Sequence, residues 1–337
     1  MTVRRTVLRP VLTAALLLTV AVCAGCARGV ADTAPRTAGV ASSVAATTPP
    51  RANAPMTFAV IGDYGYRGAG EAAVARLVAS WRASFVITTG DDYYTHAGGT
   101  GTARYDRSTG AYYCAWLKDI STTGRLCRSG EATRNAFFPA LGNHDYSDAT
   151  PAPRTYLAYF KLPGVGFTNT SGNERYYDFV EGPVHFFVLD SNSQEPDGTG
   201  RTSVQARWLK KQLAASTSKW NIVYDHHPPY SSDNTHGSTV RMQWPFAAWG
   251  ADAVISGHAH VYERVMRNGI VYFVNGLGGA PRYAFTTPVR GSVARYRANW
   301  GAQRVTVKDT AVEFRFYNAA GALKDTFRLT AKPGSGG

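Results

Sequence analysis

A chain of 337 residues with 44% hydrophobic and 12% aromatic content can bury a large core and is too apolar to remain disordered. Its formal charge of +13, from 36 Lys and Arg against 23 Asp and Glu, suits anionic substrates or an anionic envelope surface. Specific nucleic-acid binding does not follow, because no helical pattern interleaves clustered Lys and Arg with aromatics, and Lys210-Lys211 reads as a solvated helix face.

The first residues stand apart from the core. Arg4, Arg5 and Arg9 precede the apolar run Pro10 to Val22, shorter than the about 20 residues of a membrane span. The run ends in the small residues Cys23-Ala24-Gly25-Cys26, so residues 1–26 read as an export signal. Ala24-Gly25-Cys26 resembles a bacterial lipoprotein cleavage site that would lipidate Cys26 and anchor it to the membrane at the cell surface. Cys23 stands where that pattern has an aliphatic residue, and simple secretion is the alternative. Residues 27–55, rich in Ala, Thr, Ser and Pro, read as a low-complexity tether. Without the three signal Arg the charge is +10, and without Arg28, Arg36, Arg51 and Asp32 it is +8. Of the 4 cysteines, Cys114 and Cys127 follow the signal; export makes a disulfide the expected state, and their spacing is not that of a thiolate zinc site.

From Met56 the pattern becomes α/β. Met56–Ile61 reads as a buried strand, Gly62-Asp63-Tyr64-Gly65 as a turn, and 71–81 as a helix with Ala72, Val74, Leu77, Val78 and Trp81 in register. Phe85–Thr88 is the next strand, followed by Gly90-Asp91-Asp92-Tyr93-Tyr94. Strand, acidic turn, helix, strand, acidic turn opens a fold whose site lies at strand C-termini. Residues 97–135 show no period and contain both cysteines, so an ordered flap, lining the site, is expected there. Phe137 to Leu141 gives a short strand before Gly142-Asn143-His144-Asp145.

Residues 175–180 and 184–189 form a hairpin pattern in which His185 and Asp190 read as structural. A helix over 204–215 leads to a strand at 220–224 and then to Asp225-His226-His227-Pro228-Pro229-Tyr230. Ala253-Val254-Ile255 is a buried strand ending at Gly257-His258-Ala259-His260. Strands at 270–274, 303–307, 312–317 and 326–329 complete a meander, and 332–337 is a tail disordered by composition. The expectation is one catalytic domain over 56–331, of two β-sheets flanked by helices.

One Asp or His at a strand end has an ordinary turn-forming explanation. Five such turns in one chain supply the hard oxygen and imidazole donors that a hydrolytic two-metal site needs, with no Cys or Met competing.

The series Gly62-Asp63-x-Gly65, Gly90-Asp91-x-x-Tyr94, Gly142-Asn143-His144-Asp145, Val223-x-x-His226 and Gly257-His258-x-His260 resembles the five blocks of calcineurin-like metallophosphoesterases. Tyr94 and the extension Val261-Tyr262-Glu263-Arg264 resemble the purple acid phosphatase branch. The resemblance implies a four-layer αββα sandwich with two mixed β-sheets. It implies a ferric ion on Asp63, Asp91, Tyr94 and His260, and Fe(II), Zn(II) or Mn(II) on Asp91, Asn143, His226 and His258, with Asp91 bridging. A hydroxide formed on the metals would attack the phosphorus of a phosphate monoester, while His144 and His236 contact phosphate and protonate the leaving group. The same centre could serve a phosphodiesterase or nucleotidase, and a protein that binds without turnover is the remaining alternative. Tyr93 beside Tyr94 and His227 beside His226 are adjacent alternatives that the family spacing sets aside. Asp145 departs from the Glu common in purple acid phosphatases, and the low-complexity residues 27–55 ahead of the site make the expected architecture resemble the compact mammalian and bacterial members, not the plant enzymes with their N-terminal sandwich.

Overall fold

The computed structural model describes residues 55–146 and 153–331; the expected export signal at 1–26, the expected tether up to residue 54 and the tail at 332–337 lie outside the described residues. The strands are β1 Met56–Ile61, β2 Phe85–Thr88, β3 Phe137–Pro139, β4 Tyr177–Glu181, β5 Val184–Val188, β6 Trp220–Tyr224 and β7 Ala253–Ser256. They continue as β8 Tyr262–Arg267, β9 Ile270–Asn275, β10 Ser292–Tyr296, β11 Gly301–Lys308, β12 Ala311–Asn318 and β13 Leu323–Thr330. One sheet of six runs β13-β12-β11-β1-β2-β3, and one of seven runs β10-β8-β9-β7-β6-β5-β4.

Both sheets are mixed. β1, β2 and β3 are parallel, and β11 joins β1 antiparallel. In the second sheet β5, β6, β7 and β9 are parallel, with antiparallel β4 and β8 at their flanks. The parallel strands β2, β7 and β9 are buried at every position, which is why they read as continuous apolar runs. Edge strand β13 instead alternates between exposed and half-buried positions. Aromatics knit the sheets face to face: Phe58 and Phe85 lie edge-on to Phe186 at 5.2 and 5.6 Å, and Tyr262 stacks on Phe316 at 4.0 Å.

Helix Ala69–Ser80 buries Val74, Leu77 and Val78 beside the first sheet. Helix Val204–Ala215 starts where Ser203 Oγ accepts the Ala206 N–H at 3.1 Å, and it buries Leu209 and Leu213 against Phe187 and Val223 of the second. The α/β two-sheet fold expected from the sequence is therefore present. Cys114 and Cys127 are joined, and the hairpin of β4 and β5 forms as expected.

The expected flap is not a flap. Residues 103–116 make short helical turns that bury Tyr105 and Tyr113 in the main core. The Asp106 carboxylate accepts the N–H groups of Leu126 and Cys127 at 2.8 and 2.9 Å, folding the disulfide loop back onto these turns. The segment therefore backs the acidic turns; Ser108 Oγ donates to the Asp92 carbonyl at 2.7 Å. Two strands went unread from sequence, β8 and β10. β8 carries Glu263 and Arg264, which are satisfied only by distant partners: Ser232 and Ser292 for the first, Asp325 for the second. β10 has no fully buried position to betray it.

Candidate metal centre

Five strands, β1, β2 and β3 in one sheet and β6 and β7 in the other, end at the same place. The turn after β1 is fastened to the turn after β2 by Asp63 N–H to the Gly90 carbonyl at 3.0 Å and Gly65 N–H to the Asp91 carbonyl at 3.1 Å. Asp145 fastens the turn after β3, accepting the N–H groups of Gly142 at 2.8 Å and Asp92 at 3.3 Å. The two sheets meet where the His258 N–H reaches the Asp63 carboxylate at 2.9 Å. Asp63, Asp91 and His258 all adopt left-handed backbone, at φ of 55°, 55° and 66°. Non-glycine residues there carry strain, which clusters at functional sites. Gly90 lets the turns approach, for a Cβ on it would lie 2.8 Å from the Gly142 nitrogen.

Two groups of donors result. In the first, Tyr94 Oη lies 2.9 Å from Asp91 Oδ2, 3.3 Å from Asp63 Oδ1 and 3.1 Å from His260 Nε2. In the second, His226 Nε2 lies 2.9 Å from Asn143 Oδ1, 3.1 Å from His258 Nδ1 and 3.4 Å from Asp91 Oδ1. Asp91 gives one carboxylate oxygen to each group.

The donor set fits cations. The His226 Nδ1 faces the Thr89 carbonyl at 2.7 Å and the His260 Nδ1 faces the Pro281 carbonyl at 2.6 Å, so each Nδ1 carries the hydrogen and each Nε2 turns a lone pair inward. With both imidazoles neutral, one phenol proton is offered to three acceptors in the first group, and in the second a lone pair meets carbonyl and carboxylate oxygens. Acceptors converge in a buried space, and cations satisfy them. The electrostatics agree. Burial alone would raise the Asp63 carboxyl; with His260 protonated instead, its hydrogen bond and charge, with His226 beyond, hold that carboxyl below its usual value. Burial, then the charges of Asp91 and Asp63, push the Tyr94 phenol well above its usual value. Burial, followed by the neighbouring imidazoles, drives His258 towards the neutral form that can ligate. Behind the centre Asp92 is pushed up to about 8, chiefly by burial.

His144 lies beside the first group, its ring 4.3 Å from the Tyr94 ring, and its N–H donates to Asp91 Oδ1 at 2.9 Å. His236 lies beside the second, 3.9 Å from the His258 ring, on an exposed loop whose N–H groups are gathered by Asp233. All nine residues singled out from sequence therefore meet in one place. The adjacent alternatives do not reach the centre in the same way. Tyr93 turns into the core against Tyr105, whereas His227, whose Nδ1 pairs with Ser191 Oγ at 2.8 Å, still brings a ring nitrogen within 4.8 Å of donors on His226 and His258, a group that could hold a metal ion. His185 is held by Asp178 at 2.9 Å and Ser216 at 3.1 Å, remote from the donors. Sequence reasoning missed Tyr283, which stacks on His260 at 4.1 Å, and Tyr66, edge-on to Tyr94 at 5.7 Å. No local signal marks either, since the first sits 23 residues beyond its partner.

Strand-end carboxylates, an amide and imidazoles on a two-sheet sandwich define a metallophosphoesterase. The family model for calcineurin-like phosphoesterase matches residues 56–262, and the chain belongs to that family. It is 28% identical over 267 residues to tartrate-resistant acid phosphatase type 5 of Mus musculus, covering 66% of this chain and 72% of that protein. It is 31% identical over 155 residues to purple acid phosphatase 15 of Arabidopsis thaliana, covering 41% of this chain and only 28% of the plant protein. Among solved structures, the purple acid phosphatase PPD1 of yellow lupin superposes with a TM-score of 0.67 at 16% identity, over 84% of this chain and 55% of that one. GAP50, described as the anchor in the inner membrane complex of Plasmodium, superposes at 0.61 and 17%, over 82% and 89%. The last two likenesses speak for the fold alone.

Proposed function

We propose that this chain is an exported acid phosphatase that hydrolyses phosphate monoesters in the manner of the purple acid phosphatases. The observation that carries the reading is Asp91, whose two carboxylate oxygens face two complete donor groups, one of them containing a phenol. Asp63, Asp91, Tyr94 and His260 would hold Fe(III), because carboxylate and phenolate oxygens suit a trivalent ion. Asp91, Asn143, His226 and His258 would hold Fe(II), Zn(II) or Mn(II). When bound, the two ions supply positive charge to the phosphoryl oxygens and lower the pKa of a water.

The chain's own residues do the rest. His144 and His236, one beside each donor group, bind the remaining phosphate oxygens, and one of them passes a proton to the departing alkoxide. The Thr89 and Pro281 carbonyls hold His226 and His260 in the ligating tautomer. Export is supported by the signal-like residues 1–26 and by the Cys114–Cys127 disulfide, which belongs to an oxidising compartment. Cys26 would carry the lipid anchor.

The rival activity is a phosphodiesterase or nucleotidase with the same centre. Rates on p-nitrophenyl phosphate and bis-(p-nitrophenyl) phosphate separate them. A monoester rate well above the diester rate is expected; a diester rate equal to or above it overturns the monoesterase reading.

A further inference from the structure

Residues 264–308 hold seven Arg and one Lys and no Asp or Glu, the most one-sided charge run in the described chain. The structure takes this run out of the metal centre. Tyr283 stacks on the ligand candidate His260 and stands 5.4 Å from His236. Ala284 exchanges hydrogen bonds with Asn234 on the His236 loop, at 3.0 and 3.2 Å, and Thr286 N–H reaches the Ser232 carbonyl at 2.8 Å. Phe285, next along, carries the Arg295 guanidinium 5.6 Å above its ring. Arg295 belongs to β10, the edge strand of the seven-stranded sheet. The wall of the centre thus leads without a break to a solvent-facing edge.

The cations on that edge are unspent. Arg264 is neutralised by Asp325 at 2.7 Å. Among the described residues, Arg282, Arg290, Arg295 and Arg297 are exposed and make no ion pair. Two of the planes are held by rings: Arg295 lies over Phe285, and Arg282 lies 4.9 Å over Trp300 and donates to the Ala298 carbonyl. Glu263, opposite Arg295 across the strand pair, is buried and occupied by Ser232 and Ser292. A guanidinium held flat and left without a carboxylate is a ready partner for phosphate oxygens.

We propose that this strip is the binding track for oligophosphates, substrates in which further phosphate groups follow the one at the centre. The inference rests on the phosphatase reading for the position of the scissile phosphate. Because the strip begins at His260 and His236, its ligand is continuous with the bound substrate and not a separate surface partner. Tyr283 forms the step between centre and strip.

The test uses the metal-loaded protein, a methylene-bridged tripolyphosphate analogue that resists hydrolysis, and orthophosphate, each titrated by calorimetry. The wild type is expected to bind the analogue about ten-fold more tightly than orthophosphate, with an affinity that falls steeply with salt. The variant R290Q/R295Q/R297Q alters exposed side chains only. It should lose about ten-fold in analogue affinity while orthophosphate affinity is unchanged. Equal analogue affinity in variant and wild type, or an equal loss for both ligands, overturns the track. Calorimetry needs no turnover, so a protein that binds as described but leaves p-nitrophenyl phosphate intact counts against the phosphatase reading and for the track.

Discussion

At the scale of single residues, the centre is an assembly of groups that have lost their ordinary partners. His226 and His260 spend one nitrogen on a backbone carbonyl so that the other is fixed inward, and Asp91 is divided between two donor groups. Asn143 offers the second group its only amide oxygen, so Asn143→Ala should cut hydrolysis by about 100-fold or more with the fold intact, read as initial rates beside a circular dichroism spectrum. Unchanged activity would assign the turnover to another site. A second residue-scale effect concerns stability. Burial and the charge of Glu195 push the Asp190 carboxyl up from 3.8 to about 8, against the hydrogen bond from Tyr146. A raised folded-state value means the native protein holds a proton that the unfolded chain has released. Stability from this group is full below the unfolded value and declines as pH rises through this window, by up to about 1.4 kcal/mol per pH unit. Asp190→Asn, which cannot lose that proton, should flatten the slope of urea midpoints between pH 5 and 8; an unchanged slope would contradict it. Residue identity was the most legible scale in the sequence, because Asp, Asn, His and Tyr each followed an apolar run and a turn. Tyr283, Tyr66 and the linking role of Asp145 were not, since each acts through a neighbour brought in by the fold.

At the scale of elements, strands buried on both faces declared themselves as unbroken apolar runs, and the glycines after them marked where backbone must approach backbone. Gly90 is the sharpest case. Its φ of 87° favours glycine, and an added Cβ would sit 2.8 Å from both the Gly142 nitrogen and His226 Nδ1. Gly90→Ala should cost about 1–3 kcal/mol and reduce bound metal, checked by thermal denaturation and metal analysis. Full stability with full metal content would mean that this turn does not set the ligand spacing. What the sequence concealed at this scale was long-range compensation. β8 reads as a polar extension because Glu263 and Arg264 find their partners 31 and 61 residues away. Residues 97–135 look loop-like because their order depends on one carboxylate, Asp106, and on two tyrosines buried among Gly, Thr and Arg.

At the scale of the whole molecule, the centre lies on the seam between two sheets. The first sheet supplies Asp63, Asp91, Tyr94 and Asn143 from its strand ends; the second supplies His226, His258 and His260. Neither sheet alone holds a complete donor group, because Asp63, Asp91 and Tyr94 need His260, and Asn143 needs His226 and His258. Face-to-face aromatic packing therefore sets the distance between donors, and under the proposed function activity would reside in the seven donors and two flanking histidines and not in the sandwich. The measurement that tests this most directly is a visible absorption spectrum with metal analysis on the purified protein and on Tyr94→Phe. The expected result is about two metals per chain and a broad visible band, from phenolate bound to ferric iron, that is lost in the variant. A colourless, active protein with two divalent ions, and a Tyr94→Phe variant indistinguishable from it, would contradict the placement of Tyr94 as a ligand to iron.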